Sequence, residues 1–365
     1  MTEDGGTVPD RVTPRSAGPG SGPAGAPAAI ALTPILSARY RARDLDRIRE
    51  AAPGARIVSL SVEGLSDEPV DDVEVLLHGW LSSEAFDRLL TRAPRLAWVH
   101  SASAGVERAL TPASRERGIV ITNARGVFSR PIAEYVMMMI LAVSRRLPGL
   151  LELQRERTWQ PLEGTELRDV TVGIVGLGSI GRAVGALATA FGCRVVATRR
   201  RPESGGARSR PADATGDDVS FGEAMLERVG GPETLPALLA ESDFVVLAAP
   251  LTPETQNMID AATLALMKPG SWLINVARGK LVDELALLRA LRDGPLGGAI
   301  LDTFRDEPLA PSSPFYDLPN VIVTPHTSWS SSRVLDRSVD LFCDNLRRFA
   351  AGEPLVNVVD PRQGY

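Results

Sequence analysis

The chain has 365 residues, of which 44% are hydrophobic, and a formal net charge of −5. This length suffices for two domains, and the composition is typical of a globular protein rather than a disordered or membrane protein. A slightly acidic chain without an extended basic face argues against a nucleic-acid partner, and no apolar run approaches the roughly 20 residues that span a bilayer. Two cysteines, Cys193 and Cys343, are too few for a disulfide framework, so we predict a reducing, cytoplasmic setting without membrane attachment.

Residues 1–30 are rich in glycine, proline and alanine and lack the apolar segment of a secretory signal, so we predict a disordered tail. After this tail, short apolar strands alternate with helical patterns such as residues 83–91, which have Ser82 or Ser83 as N-cap. Such alternation predicts a parallel α/β sheet. The strands predicted in this half are residues 57–60, 73–77, 96–100 and 119–122.

A single long helix is predicted over residues 134–159. The alternation of strands and helices then resumes, with a loose Gly-, Asp-, Ser- and Pro-rich connection over residues 201–231 and a last helical pattern over residues 332–350. The strands predicted in this half are residues 172–175, 194–198, 244–248, 272–275, 299–301 and 321–323.

The strongest local signal is Gly176-Leu177-Gly178-Ser179-Ile180-Gly181, which lies between a predicted strand and a predicted helix. The three glycines would allow a tight turn, close approach of a pyrophosphate and close packing of helix on strand, with the phosphates at the helix N-terminus. A glycine-rich turn without a ligand is the less favoured alternative. We predict a dinucleotide-binding loop whose cofactor contacts are Gly176, Gly178, Ser179, Ile180 and Gly181.

The end of the second strand of this unit distinguishes NAD from NADP, because an acidic side chain there would bind the ribose 2′-hydroxyl. The chain carries Arg199 and Arg200 instead. Because a guanidinium matches a 2′-phosphate in charge and geometry, we predict NADP(H) as the preferred cofactor and NAD(H) as the alternative. A solvated basic loop without a cofactor role is the other interpretation.

Together these patterns predict an α/β protein with two Rossmann-like or flavodoxin-like domains. The dinucleotide-binding domain would comprise residues 134–326, and the substrate domain would comprise residues 31–133 and 327–365. The first of these would then be inserted into the second, provided that the C-terminal helix packs back onto the N-terminal half.

Three loops that follow predicted strands carry residues suited to proton transfer and anion binding: Arg278, Glu307 and His326. Because ligands bind at the carboxyl edge of open parallel sheets, we expect these side chains to converge there. Histidine exchanges a proton near neutral pH, a neighbouring carboxylate favours its charged form, and arginine offers paired donors to a carboxylate. His78 and His100 are interpreted as ordinary buried or edge residues, and no metal site is predicted.

On these motifs the chain resembles the D-isomer-specific 2-hydroxyacid dehydrogenase family, which includes hydroxypyruvate, glyoxylate and phosphoglycerate dehydrogenases. The matching segments occur in the order found in the family and cover the chain from about Leu32 to its C-terminus. They are residues 176–181, 250–255, 275–279, 301–309 and 324–326. The resemblance implies transfer of hydride between NADP(H) and a small 2-keto or D-2-hydroxy acid similar to glyoxylate or hydroxypyruvate.

The resemblance also implies roles for individual residues. Arg278 would anchor the substrate, His326 would be the acid–base group and Glu307 its partner, while Ser103, Ala104 and Gly105 would hold the substrate carboxylate through backbone amides. The family further implies a homodimer formed by the cofactor domains, with the helix predicted over residues 134–159 as a candidate contact. Along the cofactor we expect Pro250, Thr255, Ala277 and Asp302.

A second function is considered because some proteins of this family act as dinucleotide-sensing corepressors. These proteins, like some hydroxypyruvate reductases, carry a tryptophan three residues after the histidine, as Trp329 does here. A corepressor should tolerate loss of Arg278 or His326, which this chain retains. Trp329 could equally line the substrate pocket or only pack. Glu307 argues against a formate dehydrogenase, which pairs glutamine with the histidine, and phosphoglycerate dehydrogenases with regulatory domains are expected to be longer.

Overall fold

A computed structural model describes residues 25–34, 40–200 and 226–362. The described residues form two compact units, the first comprising residues 25–34, 40–100, 108–122 and 342–359 and the second residues 101–107, 123–200, 226–341 and 360–362. The second unit is thus inserted into the sequence of the first, and the predicted α/β class with two parallel-sheet domains is confirmed. The domain boundaries predicted at residues 134 and 327 stay a prediction. Most of the predicted tail and residues 201–225 of the predicted loose connection lie outside the described residues.

The first unit contains a five-stranded sheet and its connecting helices. Its elements are β1 (Ala29–Leu32), α1 (Ala42–Ala51), β2 (Arg56–Ser59), β3 (Val73–His78), α2 (Ser83–Arg92), β4 (Trp98–Ser101), α3 (Pro112–Glu116) and β5 (Val120–Asn123). The strand order is β2-β1-β3-β4-β5, and β1 pairs in parallel with both of its neighbours. This order is the one found in flavodoxin-like sheets.

The first strand is a correction to the predicted tail. Ala29 and Ile30 are fully buried and open β1, so the first strand takes in the last two residues of the predicted tail. The tail prediction extended too far because a four-residue strand with two alanines differs little in composition from the alanine-rich segment before it. Of the two predicted N-caps of α2, Ser82 is the one used, since its Oγ accepts the N–H of Ala85 at 3.2 Å.

The second unit contains a seven-stranded sheet. Its elements are α4 (Ser129–Ser144), α5 (Leu147–Arg155), β6 (Thr171–Val175), α6 (Ser179–Ala190), β7 (Arg194–Thr198), β8 (Arg228–Gly230), α7 (Leu235–Glu241), β9 (Phe244–Leu247), α8 (Ala261–Leu264), β10 (Trp272–Asn275), α9 (Glu284–Arg292), β11 (Gly298–Leu301) and β12 (Val321–Val323). The strand order is β12-β11-β10-β9-β6-β7-β8, and every neighbouring pair is parallel. This is the dinucleotide-binding order with one more strand at the β12 edge.

The single helix predicted over residues 134–159 is wrong. The segment forms α4 and α5, separated at Arg146, which adopts a left-handed φ of 59°. Pro148 stands in the first turn of α5, where its missing N–H is harmless, whereas inside a continuous helix it would remove a hydrogen bond and clash with the preceding turn. The apolar spacing continues across the break, which is why the pattern suggested one helix.

The last helix, α10 (Val334–Ala351), matches the predicted C-terminal helix. Its second half belongs to the first unit, where Phe342 and Phe349 pack on the ring of Trp98 with centroid distances of 5.5 and 5.4 Å. All three side chains are almost completely buried. The C-terminal helix therefore does pack back onto the N-terminal half, as the predicted insertion requires. Among the described ranges 25–34, 40–200 and 226–362, no helix is long and apolar enough to cross a membrane.

Candidate active site

All strands of the second unit run in the same direction, so the loops after their carboxyl ends lie at one edge of the sheet. The predicted glycine loop follows β6, and the predicted arginines follow β7. Arg278 follows β10, Asp302 and Glu307 follow β11, and His326 follows β12. The topology thus brings the loops that carry the predicted catalytic and cofactor residues to the same edge.

The glycine loop between β6 and α6 has the shape that a dinucleotide requires. Gly176 has a φ of 102°, and a Cβ there would run into the backbone of Ala249; a Cβ at Gly181 would overlap the carbonyl of Gly176. A Cβ at Gly178, by contrast, would meet nothing within 4 Å. Gly178 is also the N-cap of α6 and offers no side chain to the first N–H groups of that helix. The space beside Gly178 at the start of α6 is therefore open, which fits a pyrophosphate at the helix N-terminus.

The two predicted arginines lie at the end of β7. The N–H of Arg199 donates to the carbonyl of Gly230 in β8, and Arg200 is exposed. The pKa of Glu254 lies below its usual range, chiefly through a hydrogen bond with the Thr252 side chain, and the charge of Arg200 contributes. The guanidinium of Arg200, in the loop after β7, therefore lies close enough to the loop after β9 to act on the charge of Glu254.

The other predicted cofactor residues shape neighbouring loops. Thr255 Oγ1 donates to the carbonyl of Pro250 at 2.7 Å and accepts the N–H of Thr252 at 2.8 Å, which closes the loop after β9. Ala277 is buried, and its N–H donates to Asn275 Oδ1 at 3.1 Å. These loops lie at the carboxyl ends of β9 and β10; whether they contact a cofactor stays a prediction.

Arg278 lies against the loop that was predicted to hold a carboxylate. Its Nε is 3.2 Å from Glu107 Oε1, and one terminal nitrogen donates to the carbonyl of Ala277 at 2.8 Å. A Cβ on Gly105 would overlap both the Arg278 guanidinium and the Glu107 carboxylate. Residues 101–107 belong to the second unit, so this contact lies within one unit. An anion on the backbone beside Gly105 would therefore meet the guanidinium.

The loop itself is held by its own polar groups. Asn123 Nδ2 donates to the carbonyl of Ala104 at 2.8 Å, and the N–H of Ala124 donates to the carbonyl of Ser103 at 3.0 Å. Sequence reasoning missed Glu107, although a charged residue two positions after the predicted carboxylate loop was a signal that could have been followed. No local signal connects Glu107 with Arg278, which is 171 positions away.

The side chains of His326 and Glu307 are in contact; their acid–base role stays a prediction. His326 Nδ1 lies 2.8 Å from Glu307 Oε2, and Glu307 Oε1 accepts the N–H of Phe304 at 3.0 Å. Burial alone would raise the pKa of Glu307, but the hydrogen bonds from His326 and Phe304 and the charges of His326 and Arg278 outweigh it and lower that pKa below its usual value. Glu307 therefore carries a negative charge at neutral pH and faces the imidazole with it.

The loop that carries the histidine is tightly constrained. His326 has a left-handed φ of 49°, an uncommon conformation for a residue with a side chain. The indole N–H of Trp329 donates to the carbonyl of His326 at 2.6 Å, and the Trp329 ring packs edge-on against Phe128. Trp329 thus has a packing role in this loop, and a role in lining the substrate pocket stays a prediction.

Asp302 is fully buried, and the loop after β12 occupies both of its carboxylate oxygens. Oδ1 accepts hydrogen bonds from the Thr324 hydroxyl at 2.6 Å and from the N–H of Thr327 at 2.8 Å, while Oδ2 accepts the N–H of Ser328 at 3.0 Å. Its implied place along the cofactor stays a prediction. What the structure gives Asp302 is an anchoring role in the histidine loop.

The two remaining histidines lie in the first unit. Burial lowers the pKa of His78 to about 4 and that of His100 to about 3, so both are neutral at physiological pH. Their interpretation as ordinary buried residues fits these values. Among the residues that the structure describes, no group of three or more His, Cys, Asp and Glu side chains could hold a metal ion.

The fold and the loops at the carboxyl edge of the seven-stranded sheet are those of an α/β protein of the dinucleotide-binding class. Residues 137–328 match the family model described as "D-isomer specific 2-hydroxyacid dehydrogenase, NAD binding domain". The chain is 32% identical to a glyoxylate reductase of Korarchaeum cryptofilum, over 87% of this chain and 90% of that protein. The chain therefore belongs to the D-isomer-specific 2-hydroxyacid dehydrogenase family, as the motifs predicted.

Two further comparisons define the range of relatives. A D-3-phosphoglycerate dehydrogenase of Mycobacterium tuberculosis is 36% identical over 74% of this chain, but the match spans only 48% of that protein, so the chain covers about half the length of this relative. The crystal structure of an NADPH-dependent glyoxylate/hydroxypyruvate reductase from Sinorhizobium meliloti, in complex with NADP and sulfate, superposes with a TM-score of 0.74 at 28% identity. That superposition covers 92% of this chain and all of that structure.

Proposed function

We propose that this chain is an NADP(H)-dependent oxidoreductase that interconverts a small 2-keto acid and the corresponding D-2-hydroxy acid. The observation that carries the proposal is the Glu307–His326 pair, held at 2.8 Å in the same unit as the glycine loop and Arg278. The relatives named glyoxylate reductase and the reductase crystallised with NADP support a small, uncharged side chain on the substrate and a phosphorylated dinucleotide.

The first requirement of this reaction is an anchor for the substrate carboxylate. Arg278 presents a planar guanidinium beside Gly105, and arginine binds a carboxylate through two parallel hydrogen bonds. Glu107 neutralises part of this positive charge from one side. An additional phosphate on the substrate would bring further negative charge close to Glu107, which favours glyoxylate- or hydroxypyruvate-like acids over phosphorylated ones.

The second requirement is a proton for the oxygen at C2. When bound, the reduced nicotinamide supplies hydride to the carbonyl carbon. His326 then gives a proton to the oxygen, and Glu307 stabilises the protonated imidazole and fixes which ring nitrogen faces the substrate. Arg278 stabilises the negative charge that develops on the same oxygen. In the opposite direction His326 accepts the hydroxyl proton.

The experiment that tests the proposal is a panel of reductions. Oxidation of NADPH and of NADH is followed at 340 nm with glyoxylate, hydroxypyruvate, pyruvate and 3-phosphohydroxypyruvate. We expect turnover with NADPH and with the unphosphorylated acids. If the chain binds NADPH but reduces none of these acids, the proposal fails and the dinucleotide-sensing corepressor function becomes the better account.

Coenzyme preference is tested by changing Arg199 to Asp. The change removes a guanidinium and adds a charge that repels a 2′-phosphate, so the ratio of kcat/KM for NADPH over that for NADH should fall roughly 10- to 100-fold. Arg88→Asp, an equal charge change at an exposed site on α2, is the control and should leave the ratio unchanged. An unchanged ratio in Arg199→Asp would refute its role at the 2′-phosphate.

We also propose a homodimer formed through the second unit. Leu147, Leu150 and Leu151 on α5 are 45%, 39% and 42% exposed, and Trp159, in the segment that follows, is fully exposed. None of the residues of α5 is buried. A cluster of large apolar side chains on the surface of a folded protein marks an interaction site, and the family supports a second copy as the partner.

The combined change Leu150→Asp and Leu151→Asp is expected to convert the dimer into a monomer, because two carboxylates would be buried in an apolar interface. Light scattering coupled to gel filtration measures the mass. Leu285→Asp, an equally apolar and 69% exposed position on α9, is the matched control and should remain dimeric. A wild-type protein that is already monomeric would contradict the proposed interface.

Both cysteines are free and buried, Cys193 in the second unit and Cys343 on α10. This supports the reducing, cytoplasmic location that we propose for the protein.

A further inference from the structure

Tyr135, on α4, reaches the loop that carries the histidine. Its hydroxyl lies 2.7 Å from Thr324 Oγ1, and Thr324 Oγ1 donates a hydrogen bond to Asp302 Oδ1 at 2.6 Å. Tyr135 is 9% exposed and Asp302 is fully buried. Three polar side chains from α4, from the loop after β12 and from the loop after β11 thus form one short chain of hydrogen bonds inside the second unit.

Which group donates and which accepts in these hydrogen bonds follows from the number of hydroxyl protons. A threonine hydroxyl has a single proton, and Thr324 gives it to Asp302. Thr324 can therefore only accept from Tyr135, so Tyr135 must be the donor. Burial raises the pKa of Tyr135 to about 12, although the bond to Thr324 lowers it and the charge of Asp302 raises it further. The phenol of Tyr135 accordingly keeps the proton that it donates to Thr324.

Asp302, at the other end of this series of hydrogen bonds, holds residues on both sides of His326. Asp302 accepts the N–H groups of Thr327 and Ser328, directly after the histidine, and the hydroxyl of Thr324, two residues before it. The N–H of His326 itself donates to the carbonyl of Thr324 at 3.1 Å. Because a left-handed conformation persists in a residue with a side chain only where surrounding contacts impose it, these bonds are what keeps the φ of His326 at 49°.

We propose that Tyr135 is a positioning residue for the acid–base histidine, acting through Thr324 and Asp302 to hold the loop in which the imidazole meets Glu307. The expected effect on turnover rests on the proposed function. The hydrogen bonds that hold the histidine loop do not depend on that function. Tyr135 acts through other residues: its hydroxyl bonds to Thr324 and orients it, Thr324 orients Asp302, and Asp302 fixes the loop.

The test is a double-mutant cycle of Tyr135→Phe and Thr324→Val. Each single change removes at least one of these hydrogen bonds. We expect kcat to fall about three- to tenfold, the effect of one buried hydrogen bond, with the KM for NADPH unchanged. The double variant should be no slower than Thr324→Val alone, because Thr324→Val already removes the connection between Tyr135 and Asp302. Thr324→Ser keeps the hydroxyl and should restore kcat.

Tyr316→Phe is the matched control, since Tyr316 is 53% exposed and its hydroxyl is not one of the three groups joined by these hydrogen bonds. It should leave kcat unchanged. If Tyr135→Phe lowers the melting temperature but not kcat, the positioning role is wrong. Effects that multiply in the double variant would overturn it as well, because they would show that Tyr135 and Thr324 act separately.

A second readout does not depend on turnover. The chain has only three histidines, and His78 and His100 are buried in the first unit, so the ring signal of His326 can be identified by its loss in His326→Gln. In the NMR spectrum of the protein without substrate, this signal should shift or broaden in Tyr135→Phe and stay in place in Tyr316→Phe. An unmoved signal in Tyr135→Phe overturns the proposal. A wild-type protein that reduces no 2-keto acid would instead defeat the proposed function, and the NMR result would still decide the role of Tyr135.

Discussion

Replacing His326 with alanine is expected to lower kcat by about 10²- to 10⁴-fold, the contribution of a positioned proton donor. The imidazole is held 2.8 Å from Glu307 Oε2, and His78 and His100, both buried in the first unit, cannot replace it. Water would then have to protonate the C2 oxygen without a fixed position. Steady-state kinetics with NADPH and the best acid of the panel measure the loss.

Two controls separate this effect from damage to the fold. Binding of NADPH, followed by its fluorescence, should be the same in the wild type and in His326→Ala, because the proposed coenzyme loop after β6 does not include the histidine. His326→Gln keeps the size of the side chain and a hydrogen-bond partner for Glu307, but it cannot supply a proton, and it should be as slow as the alanine variant. A kcat equal to that of the wild type in either variant would eliminate His326 as the acid–base group.

Replacing Arg278 with alanine is expected to lower kcat/KM for the 2-keto acid by roughly 10²- to 10⁴-fold, because a fully paired charged contact of about 3–5 kcal/mol is lost. The loss should appear in KM and in kcat together, since the guanidinium would bind the ground-state carboxylate and also stabilise the developing oxyanion. Glu107 would lose its contact with Arg278 and repel the substrate more strongly. Initial rates over a range of acid concentrations measure both constants.

Arg278→Lys provides a graded version of the same change. Lysine keeps the charge but not the planar pair of donors, so its kcat/KM should lie between those of the wild type and the alanine variant. Arg292→Ala removes an exposed arginine at the end of α9 and should have no effect. If Arg278→Ala keeps the wild-type kcat/KM, the carboxylate is bound elsewhere and the anchor assignment is wrong.

The two variants also differ in a way that tests their separate roles. Loss of the histidine should leave saturation by the acid almost intact, because the anchor remains, whereas loss of the arginine should abolish saturation. If both variants raised KM to the same extent without changing kcat, the two residues would contribute only to substrate binding.

The strands and the loops between them were accessible from the sequence because their signals are local. The Gly176–Gly181 motif, the apolar strands around it and the cap Ser82 at the start of α2 depend on neighbours within a few residues, and each is present in the structure. Parallel strands then place their carboxyl ends at one edge, so the convergence of the loops that carry Arg278, Glu307 and His326 followed from topology. The resemblance added the roles of these residues.

Other features required the tertiary structure, because they depend on residues that are distant in the sequence. Glu107 meets Arg278 across 171 positions, and Tyr135 meets Thr324 across 189. Neither contact leaves a periodic or compositional trace, since one polar side chain on a helix or in a loop has many possible partners. The break between α4 and α5 was also not predicted from the sequence, because the apolar spacing continues through Arg146. The left-handed backbone of Arg146 and the ring of Pro148 nevertheless prevent a continuous helix. Local patterns thus determined which residues stand at the edge of the sheet, and only the folded chain decided what holds them there.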